Sequence, residues 1–444
     1  MTTDTIAAIA TPPGIGGVGI IRVSGKDIAN ICQKIAGNLP KPRLATFRNF
    51  KAPDQTIIDQ GIILYFPAPN SFTGENILEL QGHGGRVVMQ LLLDAVLEAG
   101  ARLARPGEFS ERAFLNEKLD LIQAEAIADL IESGSQSAAR LAVKALQGEF
   151  SNAIQNSVNQ VENLRLFVEA AIDFPDEEID FLADKDLHNR CHNAVTNLQL
   201  LLQRSERGHL LRNNLNVVLT GAPNVGKSSL LNALSGKSRA IVSDIPGTTR
   251  DTIDEHIDIG GVQLRLVDTA GIRSNADSLE QEGIRRAHQE IDAADLVLVV
   301  LDDSNLQVNP EEEFTDLEHA TVLYIHNKID VSNDKAYTLP QKASHLWVSA
   351  KTGLGINLLE DYLSKFALQE AGEENVHLAR SRHLIAMQIA LKHLKSALQQ
   401  LKYGYGELVA EDLKLCHRSL GEITGQTTSD ELLGKIFGSF CIGK

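Results

Sequence analysis

Apolar and polar positions divide the chain into segments of different texture. From Thr5 to about Asp120, short apolar runs (TIAAIA, PPGIGGVGIIRVSG, IIDQGIILYFP, ENILELQGHGG) are broken by Gly and Pro, which predicts a strand-rich α+β domain over residues 1–120. Beyond it the period lengthens. Leu141, Leu146, Phe150, Ile154, Val158, Val161, Leu164, Phe167 and Val168 keep helical spacing with no glycine after Gly148. Long helices are therefore expected from near Leu121 to about Phe174, where Pro175 stops one, and again from Asn189 to about Arg212. Residues 121–210 read as the first half of a helical domain.

Over residues 211–369 buried strands alternate with helices: LNVVLTG, VQLRLVD, DLVLVVLDD, TVLYIHN and HLWVSA. That alternation predicts a parallel α/β sheet. From about Glu374 the helical pattern returns, with Leu384, Met387, Leu391, Leu394, Leu398 and Leu401 on one stripe, so residues 370–444 read as the second half of the helical domain. The fold class is multidomain α/β: a helical domain interrupted by an inserted α/β domain, behind an N-terminal α+β domain.

At 444 residues with 43% hydrophobic positions, the chain is long enough to bury several cores. Its net charge of −16 argues against a protein that blankets nucleic acid. Cys32, Cys191, Cys416 and Cys441 are far apart, which suggests neither a disulfide framework nor a zinc site. With no signal peptide pattern and no apolar run of membrane length, the expected location is the cytoplasm.

The strongest motif is Gly221-Ala-Pro-Asn-Val-Gly226-Lys227-Ser228, followed by Ser229, between a predicted strand and a predicted helix. Glycines let backbone N–H groups face phosphate oxygens, Lys227 is placed for the β and γ phosphates, and Ser228 for Mg²⁺. Asp268-Thr269-Ala270-Gly271 closes the next strand, with Asp268 toward Mg²⁺ and the Gly271 amide toward the γ-phosphate. Asn327-Lys328-Ile-Asp330 closes another, where an Asp can accept two N–H bonds from a guanine edge, and Ser349-Ala350-Lys351 follows a third. Each short motif alone is weak, but their order at successive strand ends marks a GTP-binding domain of the Ras-like P-loop type. In SDIPGTTRD, Thr249 is the choice for the Mg²⁺ shell and Thr248 the runner-up. The residue after DTAG is Ile272 rather than a water-orienting Gln, so Glu280 is the candidate for that task. Asn224 either shapes the P-loop or offers its amide oxygen, with Val225 beside it, to a monovalent cation.

These motifs, together with TPPGIGGVGIIRVSG, SFTGENILELQGHGG, RPGEFSERAFLNEKLDL and the closing FCIGK, resemble the MnmE (TrmE) family of tRNA-modification GTPases over essentially the whole chain. The resemblance implies a cytoplasmic homodimer formed through the N-terminal domain, which binds a formyl-tetrahydrofolate there. It also implies a flavoprotein partner, MnmG (GidA), with which the wobble uridine of certain tRNAs receives an aminomethyl-type group. GTPase domains would pair around K⁺, held by Asn224, Ser243, Ile245 and Thr248, with Ser228 and Thr249 on Mg²⁺ and Glu280 on the water. Arg22, Glu79, Lys118 and Lys444 match the folate contacts. A pterin edge suits a carboxylate such as Glu79, and a glutamate tail suits cations such as Arg22 or Lys118, although read alone each is an ordinary surface charge.

The end of the chain does not fit prenylation, since CIGK has Gly and Lys in the wrong places. A frayed tail competes with a docked one in which Phe437, Phe440 and Ile442 anchor a helix from Ser429 to Phe437 and present Cys441, which the resemblance implies is a catalytic candidate of unassigned role. Two other functions remain open: a GTP-dependent ribosome-assembly switch, and a folate-dependent one-carbon transferase with regulatory GTP. The cluster Arg380, Arg382, His383, Lys392 and Lys395 reads as a solvated helix face or a tRNA or partner contact.

Overall fold

The computed structural model describes residues 4–173, 185–212, 215–235, 254–259, 262–268, 291, 294–305, 321–332, 345–371, 376–427 and 429–443. Two compact units divide the chain, one of residues 1–128, 145–196 and 386–444, the other of residues 129–144 and 197–385.

The N-terminal part of the first unit runs β1 (Ile6–Ile9), β2 (Gly16–Ser24), α1 (Ile28–Ala36), β3 (Thr46–Lys51), β4 (Ile57–Phe66), β5 (Ile77–Gly84), α2 (Arg86–Glu98), β6 (Arg102–Leu103) and α3 (Glu108–Leu115). Its sheet has the order β3-β4-β5-β2-β1-β6, antiparallel except for the β1–β6 pair. The two-residue period of a strand sorts the side chains. Ala7, Ile21, Val23, Leu78 and Leu80 join Ile31, Leu92 and Val96 of α1 and α2 in one core. Ile6 and Ala8 instead meet Ala104 and Phe109. Strand β3, whose run TFRNFK has no clear apolar alternation, was not expected from the sequence, nor was β6.

Helix α3 is fixed by charge. Arg112, 4% exposed, donates to Asp4 (2.9 Å), Glu75 (3.0 Å) and Glu108 (3.1 Å), and Arg102 donates to Glu108 at 2.7 Å. Burial pushes the Glu108 carboxyl up, but the hydrogen bonds from Arg102, Arg112 and the Arg105 amide outweigh it and hold the group below its ordinary value. The two Nη groups of this buried guanidinium are paired with three carboxylates, while its Nε, also buried, has no hydrogen-bond partner among the described residues.

Helices follow: α4 (Leu121–Glu132), α5 (Gln136–Leu146), α6 (Glu149–Asp173) and α7 (Lys185–Arg212). The helical run expected from Leu121 is thus interrupted twice, once before Ser135, which caps α5 by accepting from Ala138 N (3.1 Å), and once at Gly148, at φ +87. Next come β7 (Leu215–Thr220), α8 (Lys227–Ser235), β8 (Asp254–Ile259), β9 (Val262–Asp268), β10 (Leu296–Asp302), β11 (Val322–Asn327), α9 (Ile329–Ser332), β12 (His345–Trp347) and α10 (Ile356–Ala371). The sheet order is β12-β11-β10-β7-β9-β8. It is parallel, as the alternation predicts, except for the edge strand β8, which is antiparallel to β9. The charged run DEHIDI lacks the apolar character of a central strand, which is why only the hairpin context identifies it. Leu298 and Val300 face one core with Leu219, Leu230 and Leu359, while Val297 and Val299 face a second with Tyr324.

The chain closes with α11 (Ser381–Leu401), α12 (Gly406–Thr424) and α13 (Asp430–Gly438). Ser429 caps α13 by accepting from Leu432 N. Phe437 and Phe440 pack with Leu121 and Ala124, and burial of a ring of this size contributes about 2–3 kcal/mol. The end is therefore docked on two of the three expected anchors. Ile442 is 54% exposed and is not one of them. Among the described residues no helix is long and apolar enough to cross a membrane.

Candidate nucleotide-binding site

The loop after β7 departs from ordinary backbone at three positions. Gly221 has φ +140, and a Cβ there would run into the Val300 carbonyl of β10, so the turn out of the strand requires glycine. Asn224 has φ +63, and Gly226 has φ +99 with the Asn327 amide where its Cβ would stand. Alternating hands of backbone build the concave nests that hold anions. Lys227, the first residue of α8 and 6% exposed, donates from Nζ to the Gly221 (2.7 Å) and Ala222 (2.9 Å) carbonyls, so its ammonium lies over the loop. Val225 is buried, whereas Ser228 and Ser229 are exposed on the first turn of α8.

Asn327 at the end of β11 joins this loop to the others. Its Nδ2 donates to the Val225 carbonyl at 2.9 Å, and its Oδ1 accepts from Ala350 N at 3.0 Å. One side chain, 2% exposed, therefore fixes the distance between the phosphate loop and the loop after β12. Lys328, at φ +68, donates to the Asn224 carbonyl (2.7 Å) and to Asp302 Oδ2 (2.6 Å). Ser349 donates to Asp330 Oδ1 at 2.6 Å and accepts from Thr352 N at 3.2 Å, which orients the Asp330 carboxylate, while Lys351 is exposed.

The sequence reading missed Asp302, which stands opposite Asn327 in the β10–β11 register. Burial works to raise its carboxyl, but hydrogen bonds from Lys328 and Ser304 hold it below the usual carboxylate range. The only sequence signal was its place at the end of DLVLVVLDD. Behind the loop, His326 stacks on Trp347 (4.2 Å, 7°) and its Nε2 meets His345 Nδ1 at 3.0 Å. Burial, helped by His345 and opposed by Asp303, brings the His326 imidazole down to about 4. Asp268 ends β9 beside Leu219 of β7. Ser243, Ile245, Thr248, Thr249, Thr269, Ala270, Gly271 and Glu280 lie outside the described residues.

Two of the residues expected at a folate, Arg22 and Glu79, lie on the N-terminal sheet. Arg22 of β2 and Glu79 of β5 are register partners, and their side chains form an ion pair at 3.0 Å, 25% and 13% exposed. The Arg22 guanidinium lies 5.8 Å from the Phe72 ring centre, and Gln81 Nε2 donates to the second Glu79 oxygen at 3.4 Å. Lys118 lies against Gly74 in the connection between β4 and β5 that also carries Phe72. The exposed Cys441 accepts at its carbonyl from Gly107 N (3.4 Å), and Gly443 sits so close to Ile9 and Ala10 at the end of β1 that a Cβ would collide. Lys444 lies outside the described residues. Of the basic cluster, Arg380, just before α11, is engaged by Asp129 (2.7 Å) and His383 is 2% exposed, so the five residues are not one solvated face.

Comparison with known proteins bears on both regions. The family described as GTP-binding protein TrmE N-terminus matches residues 5–118, and the family described as MnmE helical domain matches residues 121–441. The tRNA modification GTPase MnmE of Hydrogenovibrio crunogenus is 52% identical over 450 residues, covering 100% of this chain and 99% of that protein. The tRNA modification GTPase MnmE of Shewanella baltica (strain OS155) is 50% identical over 453 residues, covering all of both chains. Among solved structures, the G domain of the T. maritima FeoB iron transporter is similar at 27% identity, covering 34% of this chain and 98% of that chain with a TM-score of 0.26.

Proposed function

The chain belongs to the MnmE family of tRNA modification GTPases, and on that premise we propose that it binds and hydrolyses GTP at the P-loop and uses the cycle in modifying the wobble uridine of tRNA. The observation that carries the reading is Asn327, whose two hydrogen bonds join the phosphate loop to the loop after β12. With both loops held by one side chain, a nucleotide that spans them meets preset contacts for its phosphates and its base. In this reading Lys227 exchanges its bonds to the Gly221 and Ala222 carbonyls for the β and γ phosphates. Asp330, already aimed by Ser349, accepts the two N–H groups of the guanine edge.

Ser228 and Thr249 would hold Mg²⁺, with Asp268 beyond them. The exposed Ser228 hydroxyl at the start of α8 fits that part of the set. Asn224, Ser243, Ile245 and Thr248 would hold K⁺. The Asn224 side chain is exposed and its backbone carbonyl is already used by Lys328, which leaves the amide oxygen as the donor the ion needs. Bound cations supply positive charge where negative charge develops on the phosphates. Glu280 would orient the attacking water.

On the N-terminal sheet, a folate one-carbon donor would sit against Arg22, Glu79, Lys118 and Lys444. The Arg22–Glu79 pair fits such a ligand in part: both groups reach solvent, and a carboxylate that accepts from Arg22 and Gln81 still has acceptor sites for a pterin edge. Cys441, delivered by the docked tail, would act at this end of the sheet. A flavoprotein partner of the MnmG type, a homodimer and a cytoplasmic setting complete the proposal.

The test is GTP hydrolysis by the purified chain in KCl and in NaCl at equal ionic strength, with Asn224→Ala beside it. The expected result is a potassium-specific stimulation that the variant loses. Equal rates in both salts would remove the cation from the mechanism and favour a ribosome-assembly switch.

A further inference from the structure

One exposed feature of the first unit plays no part in the sites above. Helix α11 is followed by the turn Lys402-Tyr403-Gly404-Tyr405, and the two rings stack on each other in solvent, with centroids 6.0 Å apart and planes at 29°. They are 66% and 56% exposed. Burying two tyrosines is ordinarily favourable, so a stacked pair left in water marks a surface kept for something else.

The turn that carries them is rigid. Gly404 has φ +73, the left-handed value that ends a helix at a glycine. Tyr403 N and Tyr405 N both donate to the Gln400 carbonyl, at 3.0 and 3.4 Å, and Gly404 N donates to the Leu401 carbonyl at 3.2 Å. The rings are therefore presented at little further cost in chain entropy. Beside them runs a basic stripe. Lys392, Lys395 and Lys402 follow one another at helical spacing on the solvent side of α11, all exposed and without a salt bridge among the described residues. Their neighbour His393 is turned to Asp412 instead, at 2.8 Å. The acid nearest the rings in sequence is Glu407, in the first turn of α12.

Three cations leading to an open aromatic stack, on a chain of net charge −16, complement a polyanion that carries flat apolar faces. We propose that this surface binds an unpaired stretch of RNA, with bases stacking on Tyr403 and Tyr405 and the backbone following Lys402, Lys395 and Lys392. The proposal rests on the tRNA reading above and gives that substrate a place of contact.

The experiment measures binding of the full chain to a fluorescein-labelled RNA stem-loop with an unpaired loop, and to a fully paired RNA duplex, across a salt series. The double variant Tyr403→Ala/Tyr405→Ala is expected to weaken stem-loop binding by about tenfold or more, with Tyr403→Phe/Tyr405→Phe close to wild type. Lys392→Gln/Lys395→Gln/Lys402→Gln is expected to flatten the salt dependence by about two in log–log slope. Unchanged stem-loop affinity in both sets, or equal losses on stem-loop and duplex, would overturn the proposal. So would a defect confined to binding a protein partner. GTP hydrolysis read on the same preparations separates the two readings: hydrolysis without any RNA affinity overturns this surface and leaves the GTPase standing.

Discussion

The two sheets place their chemistry in opposite ways. In the second unit β10 is buried over six of its seven positions, with cores on both faces, so no side chain within the strand can meet a ligand. The groups placed to meet a ligand are displaced to the strand ends, where the P-loop, Asn327 and Ala350 meet. In the N-terminal sheet one face packs on α1 and α2, and the other carries an ion pair in mid-strand, Arg22 to Glu79. Parallel sheets confine function to loops and leave compact motifs, whereas an antiparallel sheet with an open face can distribute a site across its strands.

Removing the loop connection should break the first arrangement most. Asn327→Ala leaves the Val225 carbonyl and the Ala350 amide without their partner, at about 1–3 kcal/mol for each buried group. GTP affinity measured by nucleotide titration should fall at least about tenfold, with the N-terminal sheet untouched. Unchanged affinity would mean that the two loops hold their spacing without this side chain.

The mid-strand pair sharpens the contrast at a smaller scale. Arg22→Ala removes the guanidinium from Glu79 and from the Phe72 ring, and should weaken binding of a formyl-tetrahydrofolate by roughly tenfold, the scale of one charge-assisted bond, while leaving GTP hydrolysis at the wild-type rate. A fall in hydrolysis as well would show that the two regions do not act separately.

A third test reads the pH dependence of stability. The His326 imidazole titrates near 4 in the fold against 6.5 in the unfolded chain. Its contribution to stability is complete above 6.5 and is lost as pH falls toward 4, because the unfolded state takes up the proton first. Denaturant unfolding of His326→Gln should therefore lose less stability than wild type between those two values. Parallel curves would contradict the assignment.

Much of the second unit was legible in the sequence because each of its loops is continuous. Eight residues from Gly221 to Ser228 specify the nest, and NKID and SAK each follow an apolar strand. What could not be read is the pairing between loops. Asn327 and Val225 are 102 positions apart, and Asp302 gave no sign of meeting Lys328. The N-terminal sheet was legible only as strands and a family resemblance. Arg22 and Glu79 are 57 positions apart, and the strand β3 lacks apolar alternation. The tail was half legible: aromatic anchors predict docking, yet Ile442 points to solvent because the turn after Phe440 carries it away from the core.

If the strand-end loops form one site, guanine is read through Asp330. The most direct measurement is kcat/KM for GTP and for XTP with the wild-type chain and Asp330→Asn. Xanthine carries a carbonyl where guanine carries its exocyclic amine, so the amide should accept it while losing the carboxylate bonds to guanine. The expected result is a fall on the order of a hundredfold for GTP together with a gain for XTP. Equal losses on both nucleotides, or no change on either, would contradict it.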